Sequence, residues 1–203
     1  MDNFELQQIL DTFEIIVDTR EQSTKRALKR YESFGVPYSR HVLNYGDYTY
    51  NVTFPTGKLH DVSKRISGIC CIERKQNLDE LAMCFTRERA RFEREFQRAG
   101  DNNAKMFLLV ENASWELLLD GQYRSKFKPK AFLSSITAWQ ARYNLSVIFC
   151  DMKNSGILIK ELLYRDLKER LTRGEFEWGR NQTEDGLKST DRCLELPFGE
   201  IQN

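Results

Sequence analysis

The chain has 203 residues, the size of one compact domain with short terminal segments, and it contains neither an apolar run long enough to span a bilayer nor a recognisable secretory signal at its start. Its five cysteines include no CxxC pair and it has only two histidines, which argues against a structural zinc site or a disulfide framework and favours a reducing cytosol. The formal net charge of +1 averages two acidic ends with a basic body over residues 18–180, and a basic body is compatible with a polyanionic partner such as nucleic acid.

Apolar periodicity and turn residues divide the chain into strands and helices. Strands are predicted at 13–17, 38–43, 47–54, 68–75, 106–110 and 145–150, and helices at 22–35, after Asn77, and at 87–99, 114–120, 129–143 and 154–172. Their alternation predicts an α/β fold, a mixed sheet with helices on both faces. The segment 55–68 is predicted to be a mobile loop or hairpin tip. We expect a domain over 13–173, an N-terminal extension over 1–12 and a polar, partly disordered tail over 174–203.

Three charged residues at predicted strand ends form the first candidate site. Asp47 opens a strand directly after Gly46, whereas Glu73 and Lys75 end a buried apolar strand and, being two residues apart, project to the same face. Two carboxylates that converge on one point suit Mg²⁺ or Mn²⁺, and a lysine beside the metal can position or help deprotonate the water that hydrolyses a phosphodiester. The alternative is a surface ion pair between Glu73 and Lys75, which contributes little energy.

Another carboxylate, that of Asp18, ends the first apolar strand and is followed by Arg20 and Glu21. At a strand end, Asp18 can reach the same crevice together with the guanidinium of Arg20 as a phosphate ligand. Alternatively, Asp18 caps the helix that begins near Ser23. The residues alone leave both interpretations open.

Four stretches together resemble the nuclease domain of the XPF-type structure-specific endonucleases. That family's signature is Gly-Asp, a variable gap, and then Glu-Arg-Lys-x-x-x-Asp. The stretches that carry the resemblance are Val17 to Glu21, Tyr45 to Tyr48, Ile72 to Asp79 and Arg91 to Glu95. Every fixed position of the signature is present, and the resemblance covers residues 13–150.

The resemblance implies a restriction-endonuclease-like fold and a metal-dependent endonuclease acting on branched or structured DNA in repair, recombination or phage DNA processing. It implies that Asp47 and Glu73, helped by the backbone carbonyl of Arg74, bind Mg²⁺ or Mn²⁺, that Asp18 binds the metal directly or through water, and that Lys75 acts on the attacking water. The implied supporting residues are Arg20, Glu21, Arg74 and Asp79, and the implied phosphate contacts include Arg74 and Arg91. For Asp79 the alternative is an acid favoured by the helix dipole.

Two further stretches carry clustered positive charge. In the helix 87–99, which holds five arginines, Arg91 is the candidate DNA contact, while the others pair with glutamates one turn away in the alternative interpretation. Lys126 and Lys128 flank Phe127 in a predicted exposed loop that binds phosphate backbone or is simply solvated. The apolar segment 194–198 weakly resembles peptides that bind bacterial sliding clamps.

Several questions of function stay open at this point. Family members usually carry a tandem helix-hairpin-helix domain after the nuclease domain, and the residues after 173 leave no room for one, so the preferred DNA structure is undecided. A homodimer through helices 129–143 or 154–172 is the expectation from the family. A non-catalytic DNA-binding or scaffold subunit is the alternative function, and an exonuclease or a nuclease of RNA has the same site chemistry. We expect a protein of the cytoplasm or nucleoid in a bacterial or phage-infected cell.

Overall fold

The computed structural model describes residues 2–176. The strands are β1 (Glu14–Asp18), β2 (Tyr38–His41), β3 (Tyr48–Asn51), β4 (Thr53–Phe54), β5 (Gly57–Lys58), β6 (Cys70–Lys75), β7 (Lys105–Glu111) and β8 (Leu145–Cys150). The helices are α1 (Asn3–Leu10), α2 (Lys25–Glu32), α3 (Leu78–Phe85), α4 (Arg89–Asp101), α5 (Trp115–Leu119), α6 (Pro129–Arg142) and α7 (Ser155–Arg173). The order of elements follows the prediction from the sequence except that helix α1 was not predicted and that the strand predicted over 47–54 is divided into β3 and β4.

Six strands form one mixed sheet in the order β2-β1-β3-β6-β7-β8. Strands β1 and β2 are parallel, as are β6, β7 and β8, whereas β3 runs antiparallel to both of its neighbours. Because β3 is reversed, its amino end lies at the same edge of the sheet as the carboxyl ends of β1, β6 and β7. The strand order thus creates one edge where four parts of the chain meet.

Helices cover both faces of the sheet, as predicted. On one face α1, α2 and α7 pack against side chains such as Ile15 and Tyr50. On the other face α3, α4, α5 and α6 pack against side chains such as Cys71 and Leu108. Ile9 and Leu10 of α1 belong to the first of these cores, so the predicted N-terminal extension includes a helix that packs on the domain.

The structure corrects two predictions. The helix predicted at 22–35 is shorter, because Thr24 caps its start and accepts a hydrogen bond from the amide of Ala27. The segment 55–68 contains the predicted hairpin, but its second half is anchored rather than mobile, since Ile66 is buried and exchanges backbone hydrogen bonds with residues 42 and 44. In the part of the chain that is described, no helix is long and apolar enough to cross a membrane.

Candidate active site at one edge of the sheet

The strand directions bring separate parts of the chain to one edge of the sheet. Asp18 and Lys75 end β1 and β6, and Asp47 directly precedes β3. Backbone hydrogen bonds of 2.8 Å join these segments, from the amide of Asp18 to the carbonyl of Asp47 and from the amide of Asp47 to the carbonyl of Ile72. The residues singled out from the sequence, including Glu73 on β6, therefore share this edge.

The turn before Asp47 requires glycine. Gly46 has a φ of 72°, and a Cβ atom there would lie 2.9 Å from the Cβ atom of Cys71 and 3.2 Å from the carbonyl oxygen of Ile72. The Asp47 carboxylate then accepts a hydrogen bond of 2.8 Å from the amide of Arg74. Asp47 is thereby held against β6, next to the strand residues of the site.

Glu73 and Lys75 project to the same face of β6, and both are buried. The Lys75 ammonium donates a hydrogen bond of 2.5 Å to the Glu73 carboxylate, and it lies 5.0 Å from the centre of the Phe92 ring on α4. The alternative of a surface ion pair is therefore wrong, because this pair is buried against α4.

The carboxylates of this site repel each other in a desolvated environment. Burial raises the pKa of Asp47 well above its usual value, and the charge of Glu73 raises it further, while Lys75 lowers it. Burial also raises the pKa of Glu73, to about 7, against the opposing effect of Lys75. Burial lowers the pKa of Lys75, but the charges of Glu73 and Asp47 outweigh it and raise that pKa, so the ammonium keeps its proton at neutral pH.

This charge distribution fits a divalent cation. A cation between Asp47 and Glu73 would relieve the repulsion of the two carboxylates, and carboxylate oxygens are the ligands that Mg²⁺ and Mn²⁺ prefer. Within residues 2–176, no three His, Cys, Asp or Glu side chains are arranged so that they could hold a metal ion together. The two carboxylates on which this charge distribution converges are those of Asp47 and Glu73.

Asp18 is occupied by other contacts. Arg20 donates from its guanidinium to both carboxylate oxygens, and its backbone amide donates to one of them at 2.7 Å. The amide of Leu43 donates to the other oxygen at 3.3 Å. Asp18 does not cap α2, because Thr24 does. Its observed contacts therefore hold Arg20, whose side chain is 56% exposed, beside the site.

Two arginines and two glutamates form an ion-pair network behind the site. Arg74 contacts Glu21 at 3.0 Å and Glu111 at 3.2 Å, and Arg30 contacts Glu111 at 2.9 Å and Glu21 at 3.3 Å. The predicted supporting residues Glu21 and Arg74 thus brace each other. Arg30 and Glu111 were not singled out from the sequence, although Glu111 carries the same signal as Lys75, a charged residue at the end of an apolar strand.

A polar cleft of about 290 Å³ opens beside this network. It is lined by Arg20, Glu21, Gln22, Thr24, Arg26, Arg30, Arg74, Gln76, Glu80 and Glu111. The lining holds four arginines and three glutamates, and Arg30 and Arg74 are already paired with Glu21 and Glu111, so the cleft has only a small excess of positive charge.

Helix α4 contacts the site at several points. Glu95 accepts a hydrogen bond of 2.8 Å from the amide of Gly46, and Arg98 donates one of 3.0 Å to the carbonyl of Asn44. Glu95 also raises the pKa of Glu73, which makes it a third acidic group near the pair. Glu95 ends the stretch from Arg91 to Glu95 that carries the family resemblance, but it was not among the predicted site residues.

The remaining predicted residues do not belong to the group formed by Asp47, Glu73 and Lys75. Asp79, in the first turn of α3, bonds to the segment of Arg124 and Ser125, so it is more than an acid placed by the helix dipole. Arg91 is exposed and has an ion-pair contact of 3.6 Å with Glu88. Lys126 and Lys128 are exposed. The segment 194–198 lies outside the described residues.

Comparisons with known proteins find a matching family model and a similar solved structure. The family model of the ERCC4 domain matches residues 17–162. Among solved structures, XPF from Aeropyrum pernix is similar, with a TM-score of 0.53 and 20% sequence identity over 80% of this chain and 69% of that chain. This likeness confirms the predicted restriction-endonuclease-like fold. No curated protein matches the chain in sequence.

Proposed function

Because the chain belongs to the ERCC4 domain family, we propose that it is an endonuclease that depends on Mg²⁺ or Mn²⁺ and hydrolyses phosphodiester bonds in branched or structured DNA, such as flaps, forks and four-way junctions. The observation that carries this proposal is that the half-buried Asp47 meets the buried Glu73 and Lys75 at one edge, where these groups shift one another's pKa. Such a nuclease acts in repair, recombination or phage DNA processing, in the cytoplasm or nucleoid.

In this proposal Asp47 and Glu73 hold the metal, with the backbone carbonyl of Arg74 as a further ligand. The bound metal supplies a water of lowered pKa and a Lewis acid for a phosphate oxygen. Asp18 has both oxygens engaged by Arg20 and Leu43, so we assign it the positioning of Arg20 rather than direct metal binding.

Lys75 acts as a hydrogen-bond donor in the proposed reaction. The charges of Glu73 and Asp47 raise the pKa of Lys75 against the opposing effect of burial, so the side chain carries a proton that it can donate in a hydrogen bond. The ammonium orients the attacking water and stabilises the negative charge that develops on the phosphate as the water oxygen adds to phosphorus and the ester bond to the leaving group breaks. The adjacent Phe92 ring keeps the ammonium in place without competing for its protons.

Basic side chains around the site are proposed to hold the DNA backbone. Arg20 and Arg74 line the cleft beside the catalytic edge. The exposed residues Arg91, Lys126 and Lys128 are proposed as further phosphate contacts. Contacts of this kind depend on the charge of the phosphates rather than on base sequence. They are therefore compatible with a nuclease that recognises the shape of its DNA substrate.

Two proposed partners are protein chains. Trp139 and Leu163 are fully buried and cover the sheet, so a homodimer would use other positions of these helices, such as the partly buried Leu158 and Leu162 of α7. A sliding-clamp contact through residues 194–198 is a second proposal, which binding of a peptide of that segment tests.

The testing experiment is cleavage of labelled flap, fork, four-way and linear duplex DNA by the wild-type chain and by Lys75→Ala, with Mg²⁺, Mn²⁺ or a chelator. We expect cleavage of at least one branched substrate that stops with the chelator and falls at least about a hundredfold in Lys75→Ala. Lys58→Ala is the matched control, because Lys58 lies on the β4–β5 hairpin and pairs with Glu14. Closed circular DNA distinguishes an endonuclease from an exonuclease, because it has no ends. RNA substrates show whether the chain cleaves RNA as well as DNA.

Cleavage by Lys75→Ala at the wild-type rate would contradict the proposal. Tight DNA binding without cleavage of any substrate in either metal would instead support the alternative of a non-catalytic DNA-binding or scaffold subunit.

A further inference from the structure

We infer that Asp79 is a positioning residue that anchors a phosphate-binding loop, residues 123–128, beside the active site. This inference rests on the proposed function, because it assigns a nucleic-acid backbone as the ligand of the loop. It gives the last fixed position of the Glu73-to-Asp79 motif a task different from metal binding.

The contacts of Asp79 are concentrated on this loop. One oxygen of its carboxylate accepts hydrogen bonds of 2.8 Å from the backbone amides of both Arg124 and Ser125. The other oxygen accepts a hydrogen bond of 3.2 Å from the Arg124 side chain. One carboxylate therefore fixes two consecutive peptide units of a segment that is 45 residues away in sequence.

The loop is also fixed internally and against α6. The Tyr123 hydroxyl donates to the carbonyl of Phe127 at 2.6 Å, and the amide of Phe127 donates to the Ser125 hydroxyl at 3.2 Å. The rings of Tyr123 and Phe127 lie 5.5 and 5.1 Å from that of the buried Phe132. The apolar side of the loop therefore faces the core.

The opposite side of the loop carries its positive charge. Exposure alternates along the loop, so that Arg124, Lys126 and Lys128 are exposed while the residues between them are partly buried. The Arg124 side chain is 89% exposed although its Nε atom bonds to Asp79. Lys128 is the N-cap residue of α6, its side chain forms no capping hydrogen bond, and no acidic residue follows in the first turn. A positive charge at the N-terminus of a helix is unfavourable because the helix dipole is positive there. A polyanion is the partner that this arrangement fits.

The anchor also sets where the loop lies relative to the reaction. Asp79 follows Lys75 by four residues, so their Cα atoms are at most about 15 Å apart. That distance corresponds to about four nucleotides of one strand. A loop held by Asp79 therefore contacts phosphates within a few nucleotides of the bond that is cut.

Charge alone and anchoring predict opposite effects for Asp79→Ala. Removal of a negative charge beside three basic side chains would by itself strengthen DNA binding. Loss of the anchor would release the loop and weaken binding, because the loop backbone would have to become ordered when DNA binds, at an entropic cost. Asp79→Asn keeps an oxygen that accepts both backbone amides, so it preserves most of the anchor while it removes the charge.

The experiment measures the affinity of the full chain for branched DNA at about 100 mM salt in chelator, and then kcat and KM with Mg²⁺. We expect Asp79→Ala to bind about five- to tenfold more weakly, with a smaller salt dependence, and Asp79→Asn to bind within about twofold of the wild type. The double variant Lys126→Ala/Lys128→Ala tests the loop without touching its anchor, and Asp79→Ala should add little to it. Asp120→Ala, an exposed acid just before the loop, is the matched control.

If the wild-type chain binds DNA, either of two results would overturn the inference. In the first, Asp79→Ala binds DNA as tightly as the wild type or more tightly, and Asp79→Ala and Asp79→Asn lose kcat equally. That result would put Asp79 at the reacting centre. The other is unchanged binding by the double lysine variant. Weaker binding by Asp79→Ala in a chain that binds DNA but never cleaves it would support the inference and contradict the proposed endonuclease. A wild-type chain that binds no nucleic acid would overturn both.

Discussion

The backbone amide of Gly46 donates a hydrogen bond of 2.8 Å to the carboxylate of Glu95, across 49 residues of sequence. This bond joins the turn that carries Asp47 to helix α4, the helix whose Phe92 ring also lies next to the Lys75 ammonium. The turn and the strand that form the candidate site are thus held from the same side by one helix.

Replacement of the glycine in this turn tests how closely the site depends on it. Gly46→Ala places a Cβ atom at a positive φ and against β6, so we expect a loss of about 2 to 4 kcal/mol in the free energy of unfolding and loss of cleavage. Gly35→Ala is the control, because Gly35 also has a positive φ, of 65°, but nothing lies within 4 Å of a Cβ atom there. Urea unfolding and the cleavage assay measure both effects, and equal losses in the two variants would contradict this account.

Neutralisation of Asp47 should stabilise the metal-free protein while it removes activity. Asp47→Asn keeps an oxygen that accepts the Arg74 amide and removes the repulsion with Glu73, so we expect a gain of about 1 kcal/mol in chelator. Mn²⁺ should raise the melting temperature of the wild type but not that of the variant. Thermal unfolding with and without metal measures this, and equal metal stabilisation of both proteins would argue against Asp47 as a ligand.

The ion-pair network behind the site should be costly to break. Glu111→Ala leaves the buried Arg30 without its closest acidic partner and removes one partner of Arg74, so we expect a loss of about 3 kcal/mol in the free energy of unfolding. Glu169→Ala, at an exposed position of α7, should change it by less than about 0.5 kcal/mol. Denaturant unfolding compares the two, and similar stabilities would show that the network adds little.

His60 should make stability depend on pH. Burial lowers its pKa to about 4 from the ordinary 6.5, and its Nε2 atom is buried without a hydrogen-bond partner. Its contribution to stability is therefore complete above about pH 6.5, is lost as the pH falls toward 4, and amounts to at most about 3 kcal/mol. Urea unfolding between pH 7 and 4 should show this loss in the wild type and in His41→Gln but not in His60→Gln. The same pH dependence in all three proteins would contradict the assignment.

Features that depend on a few neighbouring residues could be predicted from the sequence. The starts of two helices illustrate this, since the helices predicted after Asn77 and at 114–120 begin where the side chains of Asn77 and Ser114 accept hydrogen bonds from amides three residues later. Such bonds form within one turn and need no distant partner. The ends of the strands that carry Asp18 and Lys75 were predicted for a similar reason, because apolar runs stop where the chain leaves the core.

Partners that lie far apart in sequence could not be predicted in the same way. Arg30 lies on an amphipathic helix, where an arginine is ordinarily solvated, yet it is buried against Glu111, 81 residues later. Asp79 bonds to a loop rather than acting only on its own helix. These contacts arise from the way helices pack on the sheet, which local patterns do not describe.

Local patterns in the sequence were enough to predict the order of the six strands of the main sheet, the helices from α2 onward and the charged residues of the candidate site, because hydrophobic periodicity and residue chemistry are local properties. The reversed position of β3 between β1 and β6, through which Asp47 meets Glu73 and Lys75 at one edge, became visible in the folded chain and not before. The tertiary structure also decided that Asp18 is engaged by Arg20, whereas Asp47 and Glu73 share a desolvated space. The reason is physical: the pairing of distant strands and the desolvation of their charges depend on the packing of the whole sheet, and no short segment contains that information.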